Sequence, residues 1–364
     1  MSTYRTEGFH HVTMVSGDAP RTMAFYRELL GLAVVKLTVN FDDPSSWHLY
    51  FGTRGGSPGT LLTFFEWPDA RRGGWGVGGV HHVALSVANA DAQLRWKRRL
   101  NDAGVGVAGP YDRGYFRSIY FTDPDGQILE IATAGPGYAI DEPAEALGQT
   151  EVSQPEERLR EGRDEAAIRR LTHPEPVPEV TPGMAITGIH HVTGITDDIA
   201  RAADFYEEAL GLALVKRTVN QDDATTPHWF WARYDGASVA PGSSMTLFEW
   251  AGSRHAARIG RGQTHHIAFR ARDEEEQSRW RERLLELGLD VTDVRDRVYF
   301  RSIYFRAPDG LLCEIATDGP GFAVDEPAGE LGSGLRLPPW LEPDRERIAA
   351  GLRPLDVGAG AGSG

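Results

Sequence analysis

One cysteine, three lysines and the absence of any long apolar run set the first limits on this 364-residue chain. Cys313 alone cannot close an internal disulfide, which points to a reducing, cytoplasmic setting. No stretch reaches the roughly 18 apolar residues of a membrane span, and the opening MSTYRTEGFHH has no apolar segment of the secretory kind. With only Lys36, Lys97 and Lys216, nearly all positive charge is arginine, and a net charge of -14 disfavours contact with nucleic-acid phosphates. What is present, 41% apolar and 25% charged residues, is the balance of a folded globular protein. The length allows two or three domains.

Internal repetition sets the architecture. Residues 8–43 match residues 188–223 at 21 of 36 positions, and residues 112–144 match 296–328 at 24 of 33. A fainter repeat lies inside each half: HHVTMVSGD echoes HHVALSVAN, and HHVTGITDD echoes HHIAFRARD. Each of these starts alternates like a half-buried strand and leads into a helical stretch, with Asp18, Asn89, Asp197 and Asp273 as expected N-caps. Three β-rich runs follow in the first module (32–40, 47–52, 60–66) and in the second (105–109, 116–121, 127–133). The unit is βαβββ, used four times: 8–79, 80–140, 186–263 and 264–330. Residues 141–185 read as an acidic, exposed connector in which EERLREGRDEAAIRRL can form one helix. Residues 331–364 form a C-terminal extension whose glycine-rich end, GAGAGSG, is expected to be disordered.

The chemical signal lies in four HH pairs and two glutamates. The second histidine of each pair is His11, His82, His191 or His266; the glutamates are Glu130 in DPDGQILEIAT and Glu314 in APDGLLCEIAT. A carboxylate among apolar strand neighbours needs a partner, and a metal ion is the simplest one near imidazoles. A single strand histidine is ordinarily a hydrogen-bonded core or surface residue. The 48-residue spacing of both His82–Glu130 and His266–Glu314 counts once, because duplication alone explains the equality. What favours ligation is that the first and last strands of such a unit can lie side by side. Strand parity puts Thr13 on the face of His11 and turns Cys313 away from that of Glu314.

On GFHHVT, KLTVNFDDPSSWHLYFG, LLTFFEW, THHIAFRARDEEEQ and DRVYFRSIYF…PDG…EIATDGPGF, the sequence resembles the vicinal oxygen chelate superfamily of glyoxalases, bleomycin-resistance proteins and extradiol dioxygenases. Within it the likeness is nearest to the hydroquinone ring-cleaving dioxygenases, typified by 2,6-dichlorohydroquinone dioxygenase. The resemblance implies an α+β fold of four βαβββ modules in two incompletely closed eight-stranded barrels. It implies Fe(II), with Mn(II) as the ion of similar ligand preference, held by His11, His266 and Glu314. It also places His10, Thr13, His265, Arg297 and Tyr304 around the metal as catalytic groups, with His265 or His10 as proton carrier. In an ideal strand His10 and His265 face away from the ligands, so their assignment rests on the resemblance. A second set repeats the first: His191, His82 and Glu130 as ligands, His190, Thr193, His81, Arg113 and Tyr120 around them. It can be active, metal-bound but idle, or a remnant of duplication.

Two questions stay open at this level. Glu66 and Glu249 would complete a four-ligand, glyoxalase-type site, yet Thr63 and Thr246 align with Glu130, and an odd offset turns each glutamate to the other face. Three ligands favour a ring-cleaving dioxygenase that uses O2 on a small hydroquinone- or catechol-type substrate. A glyoxalase-type lyase or a non-catalytic binding protein are the alternatives. Both sequential and crossed pairing of the modules give two full triads; the resemblance favours crossing, first with fourth and second with third. Homo-oligomerisation is compatible with all of this.

Overall fold

The computed structural model describes residues 5–356; the glycine-rich end lies outside the described residues. The first module contains β1 (Phe9–Ser16), α1 (Ala19–Met23, continuing as a wider turn), β2 (Ala33–Asn40), β3 (Asp43–Gly52) and β4 (Leu61–Glu66). The second contains β5 (Val80–Val87), α2 (Ala90–Asp102), β6 (Ala108–Asp112), β7 (Arg117–Thr122) and β8 (Ile128–Thr133). After α3 (Glu165–Arg170), the third runs β9 (Gly188–Thr196), α4 (Ile199–Glu208), β10 (Ala213–Asn220), β11 (Asp223–Ala232) and β12 (Ser244–Glu249). The fourth has β13 (Gln263–Ala271), α5 (Glu274–Glu286), β14 (Arg295–Asp296), β15 (Phe300–Arg306) and β16 (Leu312–Pro320), followed by α6 (Arg345–Gly351).

The modules pair crosswise. One eight-stranded sheet runs β14-β15-β16-β13-β1-β4-β3-β2, the other β10-β11-β12-β9-β5-β8-β7-β6. The first strand of each module lies parallel to its last, and the antiparallel seams β1–β13 and β5–β9 join modules from opposite halves of the chain. Each sheet curls without closing, an α+β architecture. Outside, α2, α4 and α5 bury Trp96, Tyr206, Trp280 and Leu284 in the main core. Inside each curl lies a smaller apolar cluster drawn from both of its modules, around Tyr50, Tyr299 and Phe300 in one and Tyr115, Phe116 and Phe230 in the other.

The three lysines fasten this arrangement. Lys36 of the first module is fully buried and donates to Phe322 O (2.9 Å), Asp325 and Glu326 of the fourth. Lys216 does the same to Tyr138 O (3.0 Å), Asp141 and Glu142 across the other sheet. Lys97 reaches Gly109 O and Ile168 O, tying α2 to the connector. A buried ammonium is stable only with such partners.

Local expectations need four corrections. The cap of α4 is Asp198, which accepts from Arg201 N at 3.0 Å, whereas Asp197 pairs with the Arg201 guanidinium. Asp198 is also the residue that aligns with Asp18 in the repeat. The 105–109 strand begins later, at Ala108, because Val105 N closes the end of α2 on Leu100 O. EERLREGRDEAAIRRL is two pieces: a turn at Glu156–Arg158, then α3, capped anew by Asp164. Arg160 N is spent on Gln221 O instead of a helical carbonyl. The connector is therefore no free linker; Val152 N, bonded to Arg217 O, also ties it to β10.

Candidate active site

Every HH pair sits on a β-bulge. In the β1–β13 ladder Phe9 faces Phe269 and His11 faces Ala268, so His10 is the extra residue; Thr13 faces His266 and Met14 faces Thr264, so His265 is another. The β5–β9 ladder repeats this at His81 and His190. A bulge re-aims side chains, and here it brings neighbouring imidazoles together instead of turning them to opposite faces. Nδ1 to Nδ1 separations are 2.9 Å for His10–His11 and 2.8 Å for His265–His266, His81–His82 and His190–His191. The ideal-strand expectation for His10 and His265 fails for this reason. An imidazole that offers Nε2 as a lone pair carries its proton on Nδ1, and that N–H meets the preceding histidine, fixing the tautomer.

The structure brings both expected triads together. Glu314 Oε2 lies 2.9 Å from His266 Nε2 and 3.5 Å from His11 Nε2, and the two Nε2 atoms are 3.3 Å apart. In the second sheet Glu130 Oε2 is 3.0 Å from His82 Nε2 and 3.4 Å from His191 Nε2, again with 3.3 Å between the nitrogens. All six side chains are buried. Each glutamate's Oε1 accepts from a serine hydroxyl, Ser302 or Ser118, but each Oε2 is buried without an aligned hydrogen bond. Donors bonded at about 2.1 Å to one ion stand about 3 Å apart when adjacent, so the triads fit a cation. Burial holds His11 well below the ordinary imidazole range, takes His266 down to about 3 and lowers His82, which leaves neutral rings with free lone pairs.

Around the first triad, Tyr304 stands opposite Glu314 across β15–β16, and Arg297 Nε donates to its hydroxyl at 3.2 Å. Burial, with Glu314 nearby, raises the Tyr304 phenol. Thr13 shares a hydrogen bond with Thr63 (2.7 Å), which meets His48 Nε2 at 3.0 Å; Tyr50 OH meets His48 Nδ1 at 3.1 Å. A cavity of about 30 Å³ reaches the ligands past Phe41, His48, Tyr50, Phe65, Arg297 and Tyr304. His10 and His265 do not line it. In the second sheet Thr193 and Thr246 (2.7 Å), His228, Arg113 and Tyr120 take the same places, with Arg113 Nη2 donating to Tyr120 at 2.8 Å. His48 and Tyr50 were missed from sequence, although His48 and His228 align in WHLYF and PHWFW. Glu66 and Glu249 lie elsewhere: their carboxylates accept from Ala19 N and Ile199 N at the starts of α1 and α4. Cys313 is buried in the main core, away from the triad.

Against known families, residues 8–131 and 188–315 match the Glyoxalase/Bleomycin resistance protein/Dioxygenase superfamily. The chain belongs to this superfamily. Both triads fall inside the matched spans, whereas the connector and the C-terminal extension fall outside them. The chain is 36% identical over 97% of its length to "Putative ring-cleaving dioxygenase MhqO" of Bacillus subtilis (strain 168), covering 98% of that protein. It is 28% identical over 94% of its length to "Chlorohydroquinone/hydroquinone 1,2-dioxygenase" of Sphingobium indicum, covering 95% of that relative. Its family is thus that of the ring-cleaving dioxygenases. A crystal structure titled as a putative dioxygenase from Bacillus subtilis subsp. subtilis str. 168 superposes with a TM-score of 0.78 at 34% identity, covering 98% of this chain and 99% of that one. Glyoxalase I from Zea mays shares the fold, with a TM-score of 0.55 at 16% identity over 85% of this chain and 92% of that one.

Proposed function

We propose that the chain is a ferrous, ring-cleaving dioxygenase that opens hydroquinone- or catechol-type rings at the first triad. The observation that carries this reading is the buried Glu314 Oε2, without an aligned hydrogen bond between two neutral imidazoles, at the base of an aromatic-walled cavity. His11, His266 and Glu314 hold the ion; Fe(II) is favoured by the two-histidine, one-carboxylate set, with Mn(II) the alternative. When bound, the metal supplies a Lewis-acidic redox centre with positions left open for substrate and O2. His10 and His265 hold the ligand tautomers and act as positioning residues rather than proton carriers.

Arg297 and Tyr304 face the cavity as hydrogen-bond donors for a phenolate oxygen, where low dielectric strengthens them. His48 is the imidazole on the cavity wall, its two nitrogens engaged by Thr63 and Tyr50, and it orients the Tyr50 hydroxyl that also lines the cavity. A substrate enters past Phe41, which lines the cavity from the β2–β3 turn. The lone thiol, Cys313, buried in the core, suits a cytoplasmic setting. The test is oxygen uptake by anaerobically iron-loaded protein with hydroquinone and with catechol, using labelled O2. Both oxygen atoms should enter a ring-opened product; turnover of a hemithioacetal without oxygen consumption would refute the reading.

A further inference from the structure

We infer that the second triad, His82, Glu130 and His191, is a metal site sealed from solvent, whose ion is a structural part of the protein. Its ligand geometry repeats that of the first, including a buried Glu130 Oε2 with no aligned hydrogen bond. The approaches differ. Where the first site has Phe41, half-exposed on its turn, the second has Gln221, 2% exposed. Gln221 Oε1 accepts from Arg113 Nη1 (2.7 Å), its Nε2 donates to Asp112 O (2.8 Å) and Gln154 Oε1 (3.0 Å), and its backbone carbonyl accepts from Arg160 N (2.9 Å). Gln154 is in turn bonded to Thr218 Oγ1 at 2.8 Å. Arg163 completes the cover, pairing with Asp222 and lying 4.1 Å over the Tyr111 ring.

Gln154, Arg160 and Arg163 all belong to the connector, so that segment bolts the mouth shut. The repeat itself runs on past the modules: Val152 N bonds Arg217 O as Arg336 N bonds Leu37 O. Beyond that point the copies diverge. The C-terminal extension places Trp340, 52% exposed, edge-on to Phe41 at 5.7 Å, a contact of aromatic rings. Arg297 at the first mouth pairs with exposed Asp42, whereas Arg113 is 8% exposed and committed to Gln221. An ion in the second triad therefore ties β5, β8 and β9 together and meets no substrate. This division of labour rests on the first site being the one that turns over.

The experiment produces the full chain in iron-supplemented cells so that it folds with the metal present, purifies it anaerobically, counts the iron, and then adds a colour-forming ferrous chelator. Two ions per chain should be bound, released in two equal phases separated by more than about tenfold in rate, with oxygen uptake lost along with the fast phase. Glu130→Gln should delete the slow phase and Glu314→Gln the fast one. A Gln154→Ala/Gln221→Ala double variant should accelerate the slow phase alone. If Glu130→Gln does not fold, as judged by circular dichroism, His82→Asn takes its place with the same expectation. One ion per chain, a slow phase that survives Glu130→Gln, or uptake lost with the slow phase would overturn the inference. If no phenol elicits uptake, the proposed activity fails, but the ion count and the two phases still decide this point.

Discussion

The two sheets carry the same ligands at the same spacing and differ mainly in what stands over them. In the first, an aromatic flap of Phe41 against Trp340 covers a narrow cavity lined by Tyr50; in the second, Phe230 replaces Tyr50 and a network around Gln221 fills the approach. Ligand geometry is thus the part duplication preserved, and the segments after each pair of modules are where the copies diverged. A matching triad shows where an ion can sit; the covering loops decide whether anything else can reach it.

The largest effect should come from the fasteners. Lys36→Met leaves Glu326 buried without its ammonium, and should cost about 3–5 kcal/mol in urea unfolding. Lys216→Met should cost a similar amount at Glu142. Because the two fastenings lie in different sheets, Lys36→Met should loosen the fast-exchanging iron and Lys216→Met the slow one. Equal disturbance of both ions by either variant would break the comparison.

Next come the bulged histidines. His10→Ala removes the group that fixes the His11 tautomer and should weaken iron at the first site by about 10–100-fold. His190→Ala should do the same at the second, as titrations with Fe(II) would register. Tyr50→Phe makes the first site resemble the second and removes one hydrogen bond to His48, so kcat/KM should fall by the equivalent of about 1 kcal/mol. Phe230→Tyr should add no oxygen uptake, since no substrate passes Gln221. Smallest of all, Cys313→Ser should leave iron stoichiometry unchanged and cost about 1 kcal/mol of stability from a buried hydroxyl. A loss of iron in that variant would contradict the strand parity that turns residue 313 away from Glu314.

Much of this was legible in the sequence because repetition makes it redundant. The βαβββ unit, the six candidate ligands and the outward turn of Glu66 follow from matching one module against another. Crossed pairing did not follow from spacing, since either pairing assembles two triads; it needed the resemblance, and the β1–β13 seam shows it. The bulges are invisible because period-2 reasoning assumes an unbroken ladder and turns His10 and His265 away from the ligands, so only the resemblance gives those two histidines a place at the site. The connector's packing was hidden for another reason: its acidic, proline-containing composition is that of a linker, and only the partners of Gln221 and Lys97 reveal it as cover. His48 and Tyr50 carry no mark of their own in WHLYF, because their role comes from Thr63 on the neighbouring strand and from the cavity that the folded sheet forms.

The most direct measurement is oxygen consumption with hydroquinone by anaerobically iron-loaded protein, wild type and Glu314→Gln side by side, with bound iron counted in each. The wild type should consume one O2 per ring opened, and the variant should lose the fast-exchanging ion together with at least about a hundredfold in rate. Undiminished uptake by Glu314→Gln would contradict the assignment of turnover to the site that joins the two ends of the chain.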